Sequence, residues 1–207
     1  MDHDAPAPRN PPRHDPGRRD RIIDAALDVI ADDGVEGTSL RKIAARAGVP
    51  LGSLTYYFDG REDLITEAFL RFTDLSAAEF RAASAAADDL ASARETVVSA
   101  LTSESTVEER GVSLSIEIYA LDLRAPRYRA IFLRWVRRCR EAMSRHFDWP
   151  TTLVLDSLYE GLLIHRHLQN HAHDEALIRL AVERITPPES YHGTGEPSGP
   201  PPEERFL

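Results

Sequence analysis

Four histidines near the carboxyl end, His165, His167, His171 and His173, are the densest group of metal-capable side chains in this 207-residue chain. His167 and His171 stand four apart and would share a helical face, as paired metal ligands can. No HExxH, no cysteine partner and no carboxylate at fixed spacing accompanies them. Imidazoles are also favoured near helix carboxyl termini, where the dipole welcomes positive charge. No metal site is expected, and His165 is assigned instead to the inner side of a ligand pocket. Catalysis has less support still, with no GxSxG, no phosphate-binding glycine loop and no recognisable setting for the single Cys139. Neither an enzyme activity nor a cofactor is expected. Recognition chemistry is better served. From Thr38 to Phe58, TSLRKIAARAGVPLGSLTYYF, hydroxyl, guanidinium and very small side chains are interleaved. Those types hold phosphates and approach base edges.

Positioning them requires two short helices and a tight turn. Ala44 lets the helices approach, Gly48 permits a left-handed turn residue, and Leu54 pins the second helix, with Ile43, Ala47 and Val49 completing the apolar side. Thr38 or Ser39 can cap the first helix. The second would then show solvent a row including Gly52, Ser53, Thr55 and Tyr56, suited to a DNA major groove. Such hairpins also occur in bundles that never meet DNA, so the neighbouring sequence decides. Upstream, Ile22, Ile23, Ala26, Leu27 and Ile30 form the stripe of a packed amphipathic helix, which Gly34 should stop. Val35-Glu36-Gly37 then leads into the hairpin.

Together, IIDAALDVIADDGVEGTSLRKIAARAGVPLGSLTYYFDGREDLITEAF resembles the amino-terminal domain of TetR-family transcriptional regulators over about residues 18–69. The likeness includes the helix-ending glycine, the GTSLRKIA entry, the AGV turn, the aromatic pair before Phe58 and the run Arg61-Glu62-Asp63-Leu64. It implies that Leu51, Gly52, Ser53 and Thr55 face bases, while Thr38, Ser39, Arg41, Tyr56, Tyr57 and Arg61 hold the phosphate backbone. Family members commonly carry tyrosine where this chain has Thr55. The resemblance further implies a double-stranded DNA operator and a small-molecule effector as partners, and an operator-bound repressor that the effector releases. It also implies a homodimer through the last two long helices of the core, about 149–170 and 174–186. The alternative is a helical ligand- or protein-binding module that does not bind DNA.

The remainder reads as an all-α protein of about nine helices: an arm at 1–17, a helix-turn-helix head at 18–63, a helical effector-binding and dimerisation domain at 64–186, and a tail at 187–207. Proline-rich, weakly apolar ends predict disorder in arm and tail. Phe72, Glu117, Tyr119, Phe132, Trp135 and His165 are the candidate pocket residues; Glu117 could meet a polar or cationic ligand there, or point to solvent or pair with an arginine, the structural role being slightly favoured. Hydrophobic residues make up 42%, enough for a real core. The net charge of −9 is awkward for a DNA binder, and residues 18–63 themselves hold seven cations against nine anions. DNA binding must then rest on where the cations stand rather than on their total. The sequence has no apolar run of about 18 residues or more and no secretory pattern, so a cytoplasmic protein is expected.

Overall fold

The computed structural model describes residues 15–102, 109–169 and 174–195. Most of the expected arm, His171 and His173, the side chain of His167 and residues 196–207 lie outside them. The described residues form nine α-helices and no strand: α1 Arg18–Gly37, α2 Leu40–Ala47, α3 Leu51–Tyr57, α4 Arg61–Ala86, α5 Leu90–Thr102, α6 Glu109–Asp122, α7 Pro126–Met143, α8 Trp149–Gln169 and α9 Glu175–Ile185.

Local chemistry sets the boundaries. Gly34 breaks the regular winding of α1 at φ 68, ψ 170, a region of backbone space that is essentially reserved for glycine. Of the two possible caps of α2, Ser39 is the one used, its Oγ accepting from Lys42 N at 3.3 Å. Thr38 turns inward instead, is 3% exposed, and donates its hydroxyl to the Gly34 carbonyl at 2.7 Å. Gly48 closes α2 in the left-handed conformation (φ 65), and Val49 N then reaches back to the Ala44 carbonyl at 3.0 Å. Pro126 opens α7 in its first turn, and Asp174 caps α9 by accepting from Ala176 N at 2.8 Å.

The long helix α4 packs on α1 at its beginning, on α7 along its length and on α5 towards its end. One apolar core joins Ile22, Ile30, Ile43 and Leu54 of the head to Leu64, Ile65 and Phe69 of α4, and continues to Leu114 of α6 and Trp135 of α7. A second core, around Val97, Met143, Phe147, Leu155 and Val182, fills the far end between α5, α7, α8 and α9. No break in the apolar interior marks the expected boundary at residue 64.

The first residues of the tail expected from 187 are structured. Pro188–Ser190 form a 3-10 turn, Asp148 N donates to the Ser190 carbonyl at 2.9 Å, and His192 N donates to the His146 carbonyl at 3.0 Å. Tyr191 stacks on the buried His146 ring at 6.3 Å. The first two of the prolines on which that expectation rested pre-set this turn, and the aromatic that follows them can pack. Among the described residues no helix is long and apolar enough to cross a membrane.

Candidate nucleic-acid interface and the core cavity

On α3 the inward position is Leu54, 1% exposed, while Leu51, Gly52, Thr55 and Tyr56 face solvent. Gly52 has open space around its missing side chain, so a base edge can come close to the backbone there. Thr55 rests its hydroxyl on the Gly52 carbonyl at 3.1 Å, and Ser53 is only partly exposed. Tyr56 is 81% exposed and meets the Tyr57 ring edge-on at 4.8 Å. Tyr57 packs against the head core with one side still accessible, and Phe58 is buried beneath the Arg19 guanidinium, 5.2 Å from its ring centre.

The cations of the head divide by their partners. Lys42 is held by Asp33 at 3.0 Å and by the Gly37 carbonyl at 2.8 Å, and Arg46 is held by Asp32. Both tie α2 to the end of α1, while Asp20 and Asp24 pair instead with Arg71 of α4 and Asp28 with Arg110 of α6. Arg41 is exposed and has no ionic partner among the described residues. Its charge is therefore open to a phosphate, beside the exposed Ser39.

Arg61 and Thr38 depart from the expected phosphate contacts. Arg61 Nε donates to the Thr38 carbonyl at 2.7 Å, and its Nη2 donates to the Val35 carbonyl. Arg61 thus fastens the start of α4 to the α1–α2 connection. Thr38, buried and bonded inward, shapes that connection rather than facing solvent. Glu117 reaches the same connection from the other side, its Oε2 accepting from Val35 N at 3.0 Å. Its carboxylate belongs to the contact between α6 and the head, and not to the ligand pocket in which the sequence had suggested it.

Behind the head, α4 to α8 surround a cavity of about 240 Å³. Of the expected pocket residues, Tyr119 and Trp135 line it. Phe132 and Phe72 stand beside these two, with ring centres 4.8 Å from Tyr119 and 5.7 Å from Trp135 respectively. His165 is exposed on α8 and is not among the lining residues. The lining residues that sequence reasoning missed are chiefly Asp156, Tyr159 and Glu160 of α8, with Glu79 and Phe80 of α4. Their signal was a pair of acids four apart inside a leucine-rich helix.

Asp156 is buried and takes Arg140 Nε and Nη2 on one carboxylate oxygen, both at 2.7 Å. Burial pushes its carboxyl above the usual range, against the pull of Arg140. Glu160 is raised first by burial and then by the Asp156 charge, while a hydrogen bond from Tyr119 works the other way. Burial, followed by the Glu160 charge, also raises the Tyr119 hydroxyl. Cys139 on the same wall is pushed up to about 12 by burial.

A helix-turn-helix with a solvent-facing second helix, set on a helical body that encloses a cavity, is the arrangement of a DNA-binding regulator of transcription. The comparisons agree. Residues 22–68 match the family of bacterial regulatory proteins, tetR family. The crystal structure of a transcriptional regulator from Streptomyces coelicolor A3(2), SCO7518, is 46% identical, with 83% of this chain and 99% of that one covered at a TM-score of 0.71. The multidrug binding protein EbrR, solved with ethidium, is 30% identical over 82% of this chain and 99% of its own, with a TM-score of 0.65. The transcriptional repressor KstR2 of Rhodococcus jostii (strain RHA1) is 34% identical over 92 residues, 44% of this chain and 39% of the repressor's length. The chain belongs to the TetR family.

Proposed function

We propose that the protein is a repressor that holds a near-palindromic operator as a homodimer and leaves it when a small molecule fills the core cavity. The observation that carries this reading is the α3 face, where Leu51, Gly52, Thr55 and Tyr56 are all exposed on a helix pinned by Leu54. Arg41, Ser39, Tyr56 and Tyr57 serve as its phosphate contacts, with Arg61 and Thr38 as positioning residues.

Dimerisation is supported by apolar side chains left in solvent on α8 and α9: Val154, Ile164, Leu168, Leu177 and Leu180 are each at least 40% exposed. A patch of this kind marks an interaction surface, and two copies joined there would place two α3 helices about one DNA turn, ~34 Å, apart. The kinship with EbrR, a multidrug binding protein solved with ethidium and with proflavin, supports a small aromatic effector. Binding releases DNA only insofar as the effector prefers the DNA-incompetent arrangement of the heads. Such a protein works in the cytoplasm, beside the chromosome.

The test is selection of genomic fragments by the purified protein, followed by sequencing and by challenge of the bound complex with candidate effectors. Enrichment of a discrete two-fold site is expected. Recovery of bulk DNA without a shared site would sink the reading and favour a helical module with no DNA function.

A further inference from the structure

The charge of the cavity wall points to the kind of molecule it takes. Glu79, Asp156 and Glu160 line it, and among the described residues no lysine, arginine or histidine does. Asp156 is neutralised by Arg140, which reaches it from outside the lining at 2.7 Å. Glu79 is exposed. Glu160 differs from both, since it forms no ion pair among the described residues and is met at close range by the neutral Tyr119 hydroxyl. A half-buried carboxylate held in this way favours a cationic neighbour. An anion would face Glu160 with only Arg140, already paired to Asp156, to offset the like charge, and a neutral occupant would strip water from Glu160 without replacing it.

A second observation is independent of the acids. Trp135 is 5% exposed, lines the cavity, and keeps its buried Nε1–H without an acceptor among the described residues. Buried donors are seldom left unpaired in a finished interior, so this wall is fitted to an occupant, whatever the occupant's charge. Phe80, Tyr119, Trp135 and Tyr159 supply flat aromatic surface, which suits both an aromatic body and a positive charge. At about 240 Å³ the space falls just below the ~300–1,000 Å³ of ordinary ligand pockets, which favours a compact molecule.

We propose that the cavity selects a compact organic monocation with a flat aromatic body, its charge set against Glu160 and its body against Trp135 and Tyr119. This rests on the reading of the cavity as the effector site. The probes are acridine, N-methylacridinium and an acridine carboxylate, which share one ring system and differ in charge. Titrated into the full-length protein at neutral pH, N-methylacridinium should bind about tenfold or more tightly than acridine, with the carboxylate weakest. Glu160→Gln should bring the cation down to the affinity of acridine and leave acridine unchanged, with circular dichroism confirming the fold. Trp135→Phe provides a second variant on the same wall, in which the preference for the cation should persist.

Equal binding of acridine and its methylated cation, a preference that survives Glu160→Gln, or no binding of any probe would overturn the proposal. Operator release by the same probes separates it from the regulator reading, with the Glu160→Gln protein as the control for direct action of the dyes on DNA. A cation that binds best yet leaves the operator occupied upholds the site and refutes its effector role. A neutral or anionic probe that binds best and releases the operator refutes the charge preference and upholds the regulator.

Discussion

Replacing Gly34 by alanine should unsettle the reading head from a position that touches no DNA. Gly34 sits at φ 68, ψ 170, and forcing a side chain into that region costs about 1–3 kcal/mol. A Cβ there would also lie 2.9 Å from Glu117 Oε1, closer than two such atoms can approach, so Glu117 must withdraw. Moving Oε1 aside strains the bond that Oε2 accepts from Val35 N, 3.0 Å long, and a hydrogen bond to a charged group is worth about 1.5–3 kcal/mol when wholly lost. The two effects together predict a loss of about 2–4 kcal/mol, the upper end applying if the bond breaks. A double-mutant cycle isolates the shared part. With Glu117→Ala already in place the clash disappears, so adding Gly34→Ala should cost only the backbone share, about 2 kcal/mol. Urea unfolding followed by far-ultraviolet circular dichroism, at one fixed protein concentration because a dimer's stability depends on it, reads all four proteins. Strict additivity, or a Gly34→Ala loss under about 1 kcal/mol, would refute the coupling between α6 and the head.

Other consequences are separable from that one. Arg41→Ala should leave stability unchanged and lower the salt dependence of operator binding by about one counterion, whereas Arg61→Ala should lower stability by about 1.5–3 kcal/mol through its lost carbonyl contacts and leave the salt slope nearly unchanged. Filter binding across a salt series distinguishes the two. Ile164→Glu, on the exposed apolar face of α8, should shift the protein towards monomer in sedimentation and weaken operator binding; an unchanged mass would place the dimer elsewhere. Cation binding should fall with acidity, because burial and Asp156 hold the Glu160 carboxyl above its usual range. Asp156 on α8, Tyr119 on α6 and Arg140 on α7 act on it, and Glu79 on α4, Cys139 on α7 and Tyr159 on α8 share its cavity. Affinity is full above the raised value and drops by at most about tenfold per pH unit below it, while Glu160→Gln should give a flat profile over that window.

The head was the part most open to a reading of sequence, because its determinants are local. A stripe of isoleucines, a glycine at each left-handed turn and a serine at a cap each act within a few residues. The roles of Arg61 and Glu117 were not open in that way. Arg61 acts on carbonyls of residues 35 and 38, and Glu117 on an amide 82 positions away, so only the folded arrangement brings them together. Two of the four aromatic lining residues, Tyr119 and Trp135, follow from helical spacing, while Phe80 and Tyr159 do not. Nor do the cavity's acids, since five helices enclose the space and no single periodicity marks it. Asp156 and Glu160, four apart in an otherwise apolar helix, were the one available sign.

Whether α3 reads sequence is decided by the affinity of the full-length protein for its selected site against scrambled DNA of the same length and composition, at physiological salt. A specific reader is predicted to prefer its site by about a thousandfold or more. A ratio near one, with binding that simply follows ionic strength, would mean that the exposed face of α3 reads no bases.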